Sequence, residues 1–179
     1  KVVEPVFQAV DDNQILYIDI SEDEFHLGGS SFAQVKNGIG SNTPSINDAA
    51  YFKKCFNTVQ ELINKDLLLA GHDISAGGML TTLLEMCFAE NDLGASIHLD
   101  GFDEKDPTKI LFSEKSGIII QTAKATEVSD ILTSNDISFQ QIGTADNSGN
   151  LDINNFDLSF DIATYRDYWY STSYLLDKE

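Results

Sequence analysis

The stretch GHDISAGGML, residues 71–80, gathers a histidine, an aspartate, a serine and glycines between an apolar run, Leu67 to Ala70, and a segment of helical character. At a helix start the first backbone N–H groups lack intrahelical partners and the dipole presents its positive end, so Ser75 and the glycines stand where a phosphate could dock. Asp73 would repel a bare phosphate. It suits a phosphate that arrives with Mg2+, because hard cations take carboxylate oxygens and share phosphate oxygens. The same residues also suit a tight turn with a helix cap, and both readings stand at this point.

Other chemistries find less support. The stretch lacks the lysine of a P-loop and the G-x-G-x-x-G spacing of dinucleotide folds. No G-x-S-x-G, no H-E-x-x-H and no cysteine with a helpful histidine occurs. His26 and His98 have no metal-ligand spacing to His72, which by itself reads as a hydrogen-bonded structural residue. Glu22 and Glu24 lie in an acidic loop and read as solvated. An independent hydrolase is not expected.

The bulk composition is that of one soluble globular domain. The chain has 179 residues, 42% of them hydrophobic, enough for one domain with a real core. Eleven Lys plus Arg stand against 29 Asp plus Glu, a net charge of −18. Such a surface repels nucleic-acid backbones and anionic lipids, so neither is an expected partner. No apolar run reaches the length of a membrane span. Cys55 and Cys87 fall on apolar helix faces and read as small buried hydrophobes of a reducing, cytoplasmic compartment. The first residue is Lys1 with no signal region after it, which is the expected appearance of a fragment of an intracellular protein.

The elements that must position the stretch can be read from periodicity. Residues 14–20 and 30–35 read as strands. Residues 48–65 read as a helix with Phe52, Cys55, Phe56, Val59, Leu62 and Ile63 on one stripe and Asn47 or Ser45 as its cap. Residues 67–70 read as a short buried strand and 78–90 as a helix burying Leu80, Leu83, Leu84, Cys87 and Phe88. Strands follow at 96–100, 117–122 and 137–145, with helices at 107–114 and 125–136 between them. Beyond a turn at 147–150, the runs LDI and LSFDI suggest a hairpin, and an aromatic helix closes the chain at 162–176. The expected fold class is α/β (α+β): a mixed β-sheet, antiparallel towards its end, with helices packed on it.

The segment LLLAGHDISAGGMLTTLLEMCFAEN resembles a signature of phosphoribosylformylglycinamidine synthases, in the second AIR-synthase-like C-terminal domain of their large, single-chain form. LGGSSFAQV (27–35), ILFSEKSGIIIQT (110–122) and YRDYWYSTSYLL (165–176) resemble further family stretches and follow in the family's order. The resemblance implies a ligase of purine biosynthesis. Formylglycinamide ribonucleotide, ATP, glutamine and water would give formylglycinamidine ribonucleotide, ADP, phosphate and glutamate. It implies that residues 1–179 are one AIR-synthase-related C-terminal domain of a larger enzyme. AIR-synthase-like domains of the same polypeptide would precede it, and the tail, 161–179, would lead towards a glutaminase domain.

By position, Asp73 matches a Mg2+ ligand and Ser75 a contact to ATP or ADP, at a site shared with the preceding domain. That site would be either catalytic or its structural, ADP-holding counterpart. No catalytic residue matches within the chain, so the segment alone is expected to be inactive. Ala76 departs from the family, which carries a second aspartate there. Glu114 matches a family glutamate and is expected to act as a structural charge at a helix end. The aromatics Tyr165, Tyr168, Trp169 and Tyr174 are expected to pack between domains. Two alternatives remain: another ATP-using member of the superfamily, such as a selenophosphate synthetase or a hydrogenase maturation factor, and a non-catalytic interaction module of the same fold.

Overall fold

The computed structural model describes residues 1–90 and 92–176, except for the side chains of residues 172 and 174–176. It therefore leaves the expectation for the Tyr174 side chain, and the last residues of the tail, outside the described residues. Seven strands form one sheet in the order β2-β4-β1-β5-β3-β6-β7. They are β1 (Gln14–Asp19), β2 (Ala70–Asp73), β3 (Gly94–Ile97), β4 (Gly117–Thr122), β5 (Phe139–Asp146), β6 (Asn150–Ile153) and β7 (Leu158–Asp161). Neighbours are antiparallel except β3 with β6, which run parallel, so the sheet is mixed.

Side chains alternate across each strand, and the core divides accordingly. Ile15 and Tyr17 of β1 face one cluster, while Leu16 and Ile18 face another. The first cluster is closed by α3 (Gly78–Glu85), α4 (Pro107–Phe112) and the start of α6 (Ile162–Leu176), through Met79, Leu83, Ile110, Leu111 and Ile162. The second is closed by α2 (Ala49–Asn64) and α5 (Ala125–Ser134), through Cys55, Val59, Leu62, Val128 and Leu132. The sheet is thus covered on both faces. Asp19 of β1 pairs with Gly117 of β4, and Asp73 of β2 with Ile118, so the ends of β1 and β2 meet the start of β4 at one edge.

Several expected boundaries moved, each for a local reason. Residues 30–35 are not a strand: Ser31–Val35 form a short helix, α1. The Ser30 hydroxyl accepts from the Ala33 N–H and caps it. The strand expected at 67–70 begins only at Ala70 and takes in Gly71, His72 and Asp73, because the pairing partner is β4, in register Ala70 with Gln121. Helix α2 is capped by Asp48 rather than Asn47 or Ser45, its carboxylate accepting from the Ala50 and Tyr51 N–H groups. Asn47 instead donates to the Glu22 carbonyl. Phe56 is 54% exposed, since the buried line runs through Tyr51, Cys55, Thr58, Val59 and Leu62 and Phe56 sits a rotation away. Both cysteines are free and buried. In thermal melts, Asp48→Ala is expected to remove about 1 kcal/mol of stability, the usual worth of a cap.

Candidate functional site: the turn after β2

β2 delivers Asp73 to the sheet edge, and the chain then turns through residues 74–77 into α3. The Asp73 carboxylate is 77% exposed. Ser75 and Ala76 are exposed too, whereas Ile74 and Gly78 on either side are buried. The Ile74 N–H donates to the Gly117 carbonyl at 2.9 Å, and the Gly78 N–H to the Ser75 carbonyl at 3.0 Å. Among the described residues, the N–H groups of Ser75 and Ala76 donate to no protein acceptor. Two exposed residues whose N–H groups are without a protein acceptor among the described residues thus follow the exposed Asp73 carboxylate by two and three positions.

Both glycines of the turn are required by geometry. Gly77 has φ +87° and a Cβ there would fall 2.2 Å from Thr81 Oγ1; Gly78 has φ +74° and its Cβ would fall 2.7 Å from the Leu111 carbonyl oxygen. Gly77 is the N-cap of α3 and makes no side-chain cap bond, so Ser75 does not cap this helix. That corrects the capped-turn reading of the serine. Ser75 itself is exposed.

Glu114 supplies what a cap would have supplied. Its Oε1 accepts from the Gly77 N–H at 2.9 Å and from the Ser31 N–H at 2.7 Å, so one carboxylate serves the starts of α3 and α1 together. Burial alone would raise the Glu114 pKa. The Gly77 and Ser31 amides and the Ser31 hydroxyl outweigh it and hold the carboxyl below its ordinary value. The sign follows: this stabilisation is complete above the unfolded carboxylate range and is lost as pH falls through the depressed value. The expectation of a charge at a helix end is thereby realised at two ends.

His72 borders the turn, its Nδ1 3.5 Å from Asp73 Oδ1. Its Nδ1 is 2.7 Å from the Asp73 carbonyl oxygen and its Nε2 is 3.7 Å from Glu85 Oε2, while Glu85 Oε1 accepts from the Trp169 indole N–H at 3.0 Å. A polar line thus runs from β2 to α6. His26 lies by Asp23 and His98 by Asn154, each remote in sequence from the turn. Among the described residues no group of three His, Cys, Asp or Glu side chains converges as a metal cage. Asp73 offers a single hard oxygen donor group, which fits a Mg2+ that completes its shell with phosphate and water, as this ion commonly does.

On the same segment as Glu114, Lys115 points elsewhere and carried no expectation from the sequence. Its Nζ lies 2.7 Å from Asp19 Oδ2 and 4.6 Å from the centre of the Phe25 ring. Both line a cleft of about 580 Å³ with Tyr17, Asp23 and Phe102. The Tyr17 hydroxyl is buried without a protein partner. Lysine inside a motif next to an apolar strand was the available signal for a buried charge.

On α6, Tyr165, Tyr168, Trp169 and Tyr170 are 38%, 69%, 50% and 49% exposed. Trp169 packs against Phe88 with ring centres 6.0 Å apart. No described helix is long and apolar enough to cross a membrane.

Residues 13–154 match the family model described as AIR synthase related protein, C-terminal domain. The chain is 40% identical over 159 residues to a probable phosphoribosylformylglycinamidine synthase of Caenorhabditis elegans, covering 81% of the chain and 12% of that protein. It is 36% identical over 174 residues to a probable phosphoribosylformylglycinamidine synthase, chloroplastic/mitochondrial, of Arabidopsis thaliana, covering 94% of the chain and 12% of that protein. Among solved structures it is similar to T. maritima PurL complexed with FGAR, at TM-score 0.69 and 19% identity over 92% of this chain and 29% of that one. The same protein complexed with ATP gives a TM-score of 0.65 at 18% identity, over 90% of this chain and 27% of that one. At these identities the structural likeness speaks to the fold. The chain spans about 12% of the length of the curated relatives it matches.

Proposed function

The chain belongs to the family of AIR synthase related proteins, as their C-terminal domain, and on that premise we propose that it is one domain of a phosphoribosylformylglycinamidine synthase contributing half of a Mg2+-nucleotide site. The enzyme would convert formylglycinamide ribonucleotide, ATP, glutamine and water to formylglycinamidine ribonucleotide, ADP, phosphate and glutamate. The names of the curated relatives support the reaction, and the ATP and FGAR complexes of T. maritima PurL support the ligands. Residues 1–179 are read as a single domain between preceding AIR-synthase-like domains and a following glutaminase domain, with 161–179 leading towards the latter. The exposed aromatics of α6 support a neighbour there. Two buried free thiols support the cytoplasm as its compartment.

The observation that carries the site is the pair of exposed residues, Ser75 and Ala76, whose N–H groups have no protein acceptor among the described residues and which closely follow the exposed Asp73 carboxylate. Mg2+, when bound, would offset phosphate charge and orient the nucleotide. Asp73 would hold it with one carboxylate. The Ser75 hydroxyl and the two amides would donate to phosphate oxygens, and Gly77 and Gly78 let the backbone approach that closely. The residues of this turn are read as ligand contacts, and the catalytic groups would belong to the neighbouring domains. Ala76 brings no second carboxylate, which leaves one metal-ligand side chain at the turn.

The test is titration of the full-length polypeptide with ADP or ATP, with Mg2+ and with a chelator. Saturable, Mg2+-dependent binding that Asp73→Asn weakens is expected, and equal binding by wild type and variant would favour the non-catalytic module. The segment alone, supplied with formylglycinamide ribonucleotide, ATP and ammonia, is expected to release no substrate-dependent ADP, because the groups that would align the reactants lie on other domains.

A further inference from the structure

Resting on the nucleotide site proposed above, we infer that Glu114 is its positioning residue: it sets the Ser75–Ala76 peptide in place, beside an Asp73 that the β2–β4 pairing holds, without touching the ligand. Two anchors hold the turn, and both come from the short segment that enters β4. The Gly117 carbonyl takes the Ile74 N–H, just before Ser75, and Glu114 Oε1 takes the Gly77 N–H, just after Ala76. The Ser75 and Ala76 N–H groups are therefore the free donors of a bridge fixed at each end, while the Ser75 carbonyl is taken by the Gly78 N–H. The same carboxylate oxygen takes the Ser31 N–H, which ties the turn to the start of α1 and so to the Gly28-Gly29-Ser30 loop. Gly78 seats the turn on the residues preceding Glu114, since a Cβ at that position would fall 2.7 Å from the Leu111 carbonyl oxygen and 2.8 Å from that of Ser113.

A carboxylate is suited to this place. The two helix starts converge there with unpaired N–H groups, and a charge-assisted acceptor serves both at once. Because the internal anion takes the Gly77 amide, that amide is withdrawn from any external phosphate. What remains for the ligand is the Ser75–Ala76 span, and its position depends on the anchor. The geometry of a phosphate contact tolerates little displacement, so loosening one end of the bridge should weaken binding more than it weakens the fold.

The experiment uses the full-length polypeptide and Mg-ADP as probe. Glu114→Ala removes the anchor, and Glu114→Gln keeps an acceptor oxygen at the same reach. Asp48→Ala is the control, removing a cap from α2 on the other face of the sheet. Expected are at least roughly tenfold weaker Mg-ADP binding for Glu114→Ala, recovery to within about threefold of wild type for Glu114→Gln, and unchanged binding for Asp48→Ala despite its lowered melting temperature. Should Glu114→Ala not fold, Glu114→Asp draws the acceptor back by one methylene and is expected to weaken binding in the same sense. The inference is overturned if the folded anchor variant binds as wild type does, or if Asp48→Ala loses as much affinity per degree of melting temperature. If wild type itself binds no Mg-ADP, the nucleotide reading fails first and the positioning role goes with it.

Discussion

Asp73→Asn in the full-length polypeptide is expected to weaken Mg2+-dependent binding of ADP or ATP by roughly ten- to a hundredfold, about 1.4–2.8 kcal/mol, with no loss of fold. The substitution keeps the shape of the side chain and removes the charge that a hard cation requires. Its effect on stability should lie within about 0.5 kcal/mol, because the carboxylate is 77% exposed and its neighbour His72, 3.5 Å away, still reaches water at 22% exposure. Calorimetric titration in Mg2+ and in chelator separates the metal-dependent part: the variant should resemble wild type in chelator and differ from it in Mg2+. Ser75→Ala should show a smaller defect of about 1 kcal/mol, the worth of one hydrogen bond. It should cost little stability, since Ser75 does not cap α3. Equal binding by wild type and Asp73→Asn in Mg2+ would remove the metal from this turn.

How much of this was legible depended on how local the cause was. The buried faces of α2 and α3 and the run Gly117–Thr122 follow from periodicity, because each element presents its own repeat to the sheet. The mixed sheet was foreseen from the alternation of elements and the hairpin at its end, which forms as β6 with β7. Residues 30–35 were misread because a five-residue helix has too short a period to distinguish, and what fixes it is a cap and a distant carboxylate. The start of β2 was misplaced because the apolar residues at 67–69 mark burial, while the strand is defined by where β4 pairs. At the site, the motif was readable as a string, but the clamp on it was not. Glu114 lies 37 residues from Gly77 and 83 from Ser31, and only the fold brings them together. The role of a serine next to a helix start was similarly ambiguous, since capping depends on the dihedral angles of the turn and Gly77 occupies that position here.

The largest stability effect is expected at a pair that no motif announced. Asp19→Ala should destabilise the domain by about 3–5 kcal/mol, as removal of one member of a buried ion pair does. Lys115→Met should cost markedly less. The two side chains are 16% and 6% exposed, and lie 96 residues apart in sequence. The asymmetry comes from what each would leave behind. Without Lys115, the Asp19 carboxylate still accepts from the Ser21 N–H, the Ser21 hydroxyl and the Glu22 N–H. Without Asp19, the Lys115 ammonium loses its hydrogen-bond partner among the described residues and keeps the face of Phe25, a contact worth about 2 kcal/mol when desolvated, less than the ion pair it would replace. Methionine also replaces the aliphatic stem of lysine beside Phe25 with little change of volume. Chemical denaturation of both single variants and of Asp19→Ala/Lys115→Met would measure the coupling, and the double variant should recover much of what Asp19→Ala loses. If Lys115→Met proved the more damaging, the ammonium rather than the carboxylate would be the group that cannot be spared at this edge of the sheet. That edge also carries Gly117, whose carbonyl fixes one end of the Ser75–Ala76 span. The ion pair is therefore expected to influence nucleotide binding only through the fold, in contrast to Glu114, which acts on the turn directly.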